Sequence, residues 1–84
     1  MSTRQSKTTP QRPAFQIKQF LVDNFGDVDK EQVFLANYGI TDISRQGLYK
    51  QWARESIPAD LFPVLIALLE IETGKSVSLA RYLK

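Results

Sequence analysis

From Ala14 onward the apolar positions Phe15, Ile17, Phe20, Leu21, Val22 and Phe25 recur mostly at helical spacing, and the run stops at Gly26. Pro13 presets a first turn and glycine accepts the left-handed conformation after a last one, so the pattern predicts a helix between them. Its aromatic residues share a face with Ile17 and Leu21 and belong to a core rather than to a platform for bases. A second helix is predicted from Asp29 as cap through KEQVFLANY, with Gln32 completing a capping-box-like pair. Lys30 and Glu31 are expected outside, Val33, Phe34 and Ala36 inside, and Gly39 at the end. In the ITDI that follows, Ile40 and Ile43 can anchor a turn from beneath while Thr41 and Asp42 face water.

The third predicted helix starts at a capping serine, Ser44, and runs through RQGLYKQWAR. Leu48 and Trp52 fall on its buried face; Arg45, Gln46, Tyr49 and Lys50 fall on the outer one. Gly47 inside it costs about 1 kcal/mol relative to alanine, and close approach of the second helix is the expected compensation. The fourth helix comes from IPADLFPVLIALLEIETG. With Asp60 as cap, Pro63 falls in the first turn, where no hydrogen-bond partner is needed; Pro58 and Ala59 then form a preceding turn. Leu61, Phe62, Val64, Leu65, Ile66, Leu68, Leu69 and Ile71 make this helix apolar nearly all round, the pattern of an element buried on both sides. Gly74 stops it. The last stretch, KSVSLARYLK, fits both partial alternation and one turn of helix capped by Ser78, and the helix is preferred. The chain is thus expected to be all-α, a compact domain of four to five helices over residues 14–84, preceded by an arm.

Composition narrows what such a domain can do. Eighty-four residues make one domain, near the size at which a single core becomes marginal, so a second subunit is a natural expectation. The candidate interface positions are Leu65, Leu69, Leu79 and Leu83. With no cysteine and no histidine, disulfides, thiolate metal sites, cysteine nucleophiles and His-containing triads are excluded. Glu70 and Glu72 lie on a helix without a partner base, nucleophile or phosphate-cradling loop, and are expected to face solvent. No enzyme activity, cofactor, metal or small-molecule substrate is therefore expected. No apolar run can span a bilayer and MSTRQSKTTPQRP lacks the apolar centre of a signal peptide, which points to a cytoplasmic protein.

The net charge of +2 conceals an uneven distribution. Residues 1–14 carry Arg4, Lys7 and Arg12 and no acid, which leaves −1 for everything after them. Residues 1–13 are too polar to offset their ordering entropy, so a disordered basic arm is expected, either a solvated tail or a segment that tracks phosphates. Within the acidic remainder, Ser44 to Arg54 holds Arg45, Lys50 and Arg54 with no carboxylate. Arginine and glutamine match the major-groove edges of guanine and adenine, and lysine and serine suit phosphate oxygens. Two basic elements on a nearly neutral scaffold have the character of a binding face for double-stranded DNA.

A second helix ending in YG, the capped SRQGLYKQW, and IPADLFPVLIALLEIETG together resemble the helix-turn-helix of the lambda repressor-like superfamily, especially small phage Cro-type repressors. The pairing of a basic helix with an IP turn and a leucine-rich helix is also similar to the lambdoid CII-type activator. The resemblance spans Phe15 to Leu83 and is most specific over Ser44–Trp52 and Ile57–Gly74. It implies a transcriptional regulator that binds operator DNA as a homodimer, with Ser44, Arg45, Gln46, Tyr49 and Lys50 at the base-contacting positions. One departure is that Gly39 to Ile43 intervene before Ser44, whereas a helix-turn-helix usually joins its helices by about 3 to 4 residues. An extended turn accommodates them. Arg54 and the arm residues Arg4, Lys7 and Arg12 complete the expected DNA contacts. The competing expectation is a protein-interaction adaptor that uses the apolar helix Leu61–Glu72, for which the basic helix is only a solvated face.

Overall fold

A computed structural model describes residues 13–84, and among them the protein is all-helical. Four α-helices, α1 (Ile17–Phe25), α2 (Val28–Asn37), α3 (Arg45–Arg54) and α4 (Phe62–Thr73), are followed by a 3-10 turn, Leu79–Tyr82. No strand is present among these residues, only an isolated antiparallel bridge between Phe15 and Leu83. No helix among them is long and apolar enough to cross a membrane. The expected arm, residues 1–13, lies outside the described residues except for Pro13.

The first helix buries Phe20, Leu21 and Phe25 and ends where Gly26, at φ 89°, returns its N–H to the carbonyl of Val22. Its start differs from the expected entry at Pro13 and Ala14. The backbone there is engaged by the chain's other end: Gln16 N–H donates to Tyr82 O at 2.7 Å and Lys84 N–H to Ala14 O at 3.1 Å. The Ala14 carbonyl is thus taken by Lys84 rather than by a helical N–H, and Gln16, whose carbonyl accepts from Phe20 N–H at 3.0 Å, is the cap after which α1 begins at Ile17. The Phe15 ring packs among Phe20, Phe62 and Tyr82, at centroid distances of 5.8, 5.3 and 5.8 Å.

For α2 the cap is Asp27, not Asp29. Asp27 is extended and its carboxylate accepts from Lys30 N–H at 2.8 Å, and Gln32 closes no capping box. Only Gly26 and Asp27 separate the first two helices, so the aspartate that leaves the left-handed glycine is the first able to cap. Asp29 then lies in the first turn, where a carboxylate complements the helix dipole. The buried face also differs from expectation. Val28, Glu31 and Leu35 point inward and Phe34 is half-buried, whereas Val33 and Ala36 are exposed.

After α2, Gly39 adopts φ 79° and Ile40 N–H donates to Leu35 O at 2.9 Å. Ile40 and Ile43 pack against the core and Thr41 and Asp42 are exposed, as the pattern predicts. The fourth helix enters through a turn in which both Leu61 and Phe62 N–H donate to Pro58 O. Leu61, not Asp60, occupies its cap position and no side chain caps it; Pro63 does fall in the first turn. Leu61, Leu65 and Leu69, four residues apart, line the core, with Phe62, Ile66 and Leu68 packed against it. The rest of this one chain thus covers one side of the surface that invited a partner, and Val64 and Ile71 remain exposed. Leu65 is 0% exposed and Leu69 4%, so both expected interface positions lie in the core of the single chain and offer almost no surface to a partner. Leu79 is half-buried against the core and Leu83 is exposed. Ser78 does precede the 3-10 turn but makes no capping bond.

Candidate nucleic-acid interface

The third helix is set in place from its first residue. Ser44 is extended and its hydroxyl accepts from Gly47 N–H at 3.0 Å, which satisfies one of the free donors of the first turn. Gly47 has a local role rather than the expected helix–helix one. A Cβ there would lie 3.3 Å from Ser44 Oγ and 3.6 Å from Ile43 Cγ2, so the glycine makes room for the cap itself. At the other end Glu55 closes the helix in the left-handed region, at φ 51°.

Leu48, Gln51 and Trp52 turn inward, and α2 packs against α3 more extensively than any other two elements pack together. Ser44, Arg45, Gln46, Tyr49, Lys50, Ala53 and Arg54 are exposed. Two clefts flank this outer face. One, of about 600 Å³, is lined by Lys50, Gln51 and Arg54 together with the turn and the start of α4. The other, of about 380 Å³, is lined by Arg45, Tyr49 and Ala53 together with the start of α2. Gln46 lines neither and stands between them, so α3 forms a ridge with its glutamine at the crest. All of the expected helix contacts are therefore accessible on one element. Arg4, Lys7 and Arg12 fall outside the described residues.

Two carboxylates shape the site in ways the pattern of polar positions did not reveal. Glu31 has no exposed surface; its Oε1 accepts from Trp52 Nε1–H at 2.7 Å, linking α2 to α3. Burial pushes this carboxyl up, opposed by the hydrogen bond from Trp52. The signal available in advance was the indole: a tryptophan on a buried face needs an acceptor, and Glu31 shares a helical stripe with Val28 and Leu35. Asp29, in the first turn of α2, accepts from Arg45 Nε at 2.7 Å. The hydrogen bond from Arg45, and then its charge, hold the Asp29 carboxyl below the usual range and raise the guanidinium in turn. Arg45, expected to be free for bases, is thus paired across the two helices.

Glu70 and Glu72 each hold a structural hydrogen bond. Glu72 accepts from the Tyr38 hydroxyl, and Glu70, expected to face solvent, is half-buried and accepts from Val77 N–H at 3.1 Å. Comparison with protein-family models, with curated proteins and with solved structures gives no match to this chain.

Proposed function

We propose that this protein is a sequence-specific double-stranded DNA-binding transcriptional regulator, a repressor of the Cro type with a lambda repressor-like helix-turn-helix, in which α3 reads the major groove. The observation that supports this most directly is the ridge formed by α3. It carries Arg45, Gln46, Tyr49, Lys50 and Arg54 outward with no carboxylate of its own, between two clefts, on a helix braced by α2. A groove about 12 Å wide admits a helix, and a glutamine at its crest can pair with adenine N6 and N7 while Lys50 and Arg54 meet phosphates. Two copies bind a twofold operator, and Arg4, Lys7 and Arg12 add sequence-independent attraction.

The adaptor alternative loses Leu61, Leu65 and Leu69, which are core residues of the single chain, and keeps Val64 and Ile71 as its exposed apolar side chains. Mobility shifts with duplex DNA at several salt concentrations, on sequences selected from a random pool, test the proposal. Gln46→Ala is expected to cost about 1 to 3 kcal/mol on the selected site and far less on random duplex. Equal losses on both would restrict α3 to phosphate contacts, and no shift even at low salt would reject DNA binding.

A further inference from the structure

The ion pair between Asp29 and Arg45 joins the first turn of α2 to the first residue of α3, and its geometry is one-sided. Asp29 Oδ1 engages Arg45 at Nε; within the described residues the two terminal amino groups, Nη1 and Nη2, have no hydrogen-bond partner. Both side chains remain more than half exposed, at 58% for Arg45 and 67% for Asp29, so the pair does not serve to fill the core.

We propose that Asp29 is a positioning residue for sequence readout: by holding Nε it aims the free end of the Arg45 guanidinium at a guanine. The inference rests on the DNA-binding function proposed above. Three physical points lead to it. An arginine side chain loses rotamer freedom when it docks, and a bond to a carboxylate narrows the orientations of the group before DNA arrives. A guanidinium held through Nε still offers two parallel N–H donors, which match guanine O6 and N7. A carboxylate beside that arginine also repels phosphates, which makes the backbone a poorer partner for Arg45 than a base edge, where amino groups as well as acceptors are presented.

The consequence is a pair of effects of opposite sign, which a merely structural bond would not produce. Asp29→Asn removes a negative charge from the binding face and should bind random duplex a few-fold more tightly. The same substitution leaves Nε a neutral acceptor in place of a charged one, which loosens the guanidinium and should lower discrimination for guanine at one operator position by about tenfold. Arg45→Ala should lose that preference too, and the double substitution should lose no more of it than Arg45→Ala alone. Asp29→Glu should restore part of the preference.

The test is selection from a random duplex pool by the unaltered protein and these variants, followed by affinities on the selected site and on its single-base substitutions. Thermal unfolding of each variant is compared first, so that losses from misfolding are recognised. A guanine that becomes degenerate with Asp29→Asn and Arg45→Ala alike, while random-duplex affinity rises with Asp29→Asn, is the expected result. Undiminished guanine preference with Asp29→Asn would overturn this inference and leave the proposed function standing. Failure of the unaltered protein to bind duplex would overturn both.

Discussion

Glu31 shows how one residue can run against its pattern. A carboxylate on α2 reads as solvent-facing, yet it is buried because Trp52, on the facing helix, needs an acceptor for its indole N–H. The arrangement has a cost that depends on pH. Burial raises the Glu31 carboxyl in the folded protein, so above the ordinary glutamate value the folded state holds a proton the unfolded chain has lost. Stability contributed by this group therefore falls as pH rises through that window. Asp29 acts in the opposite sense: its lowered carboxyl contributes stability at neutral pH that is lost as pH falls through its folded value. Glu31→Gln keeps an acceptor for Trp52 without the charge, and should flatten the decline and leave the protein at least as stable at pH 7. Denaturant unfolding followed by Trp52 fluorescence across pH reads this directly, and a decline as steep as that of the unaltered protein would contradict it. Glu31→Leu instead strands the buried indole donor, an expected loss of about 1 to 3 kcal/mol.

Among the elements, α3 depends most on local chemistry. Its serine cap should be worth about 1 kcal/mol, so Ser44→Ala should lower stability by that amount and loosen the end that carries Arg45 and Gln46. Gly47→Ala is less simple. Helix propensity favours alanine by about 1 kcal/mol, but its Cβ would press on Ser44 Oγ at 3.3 Å and disturb the cap. The two substitutions should therefore be non-additive. Gly47→Ala should be close to neutral alone and stabilising by up to about 1 kcal/mol in a Ser44→Ala background, where the crowded oxygen is gone. Unfolding of the four members of the cycle measures the coupling. Additive effects would assign the glycine to something other than the cap.

For the whole molecule, the decisive contacts join the two ends of the described chain. Tyr82 is buried, its ring edge-on to Phe20 at 5.6 Å, and its hydroxyl donates to Asp23 Oδ2 at 2.9 Å. Tyr82→Phe should cost about 1 kcal/mol for the hydrogen bond, and Tyr82→Ala about 3 to 5 kcal/mol for the vacated core. A small effect of Tyr82→Ala in chemical unfolding would mean that the last turn merely lies on the surface. Assembly and the arm belong to this scale as well. With Leu65 and Leu69 inside, Leu83 is the exposed member of the four candidate interface leucines, and Leu83→Asp is the probe for a dimer. Sedimentation that finds a monomer both free and on a single operator would exclude pairing. Deleting residues 1–13 should flatten the log K against log salt slope by about one to two units per subunit, as the counterion-release rule requires if one or two of its three cations meet phosphates. An unchanged slope would reduce the arm to a solvated tail.

The helices themselves were legible in the chain, because periodicity, Ser44, Pro63 and the glycines at 26, 39 and 74 act through bonds within a turn or two of themselves. The basic outer face of α3 was legible for the same reason: Leu48 and Trp52 dictate which side turns in, and the remaining positions must turn out. What local pattern could not supply was each choice made by a distant partner. Glu31 is inside because of Trp52, 21 residues away, and Arg45 is paired because of Asp29, 16 residues away. Phe15 is extended because Leu83 reaches it from the far end, and Leu65 and Leu69 are core because the chain supplies enough of its own apolar surface to enclose them. Hydrophobicity sets how much surface a residue gains by being covered; only the packed chain decides which group does the covering.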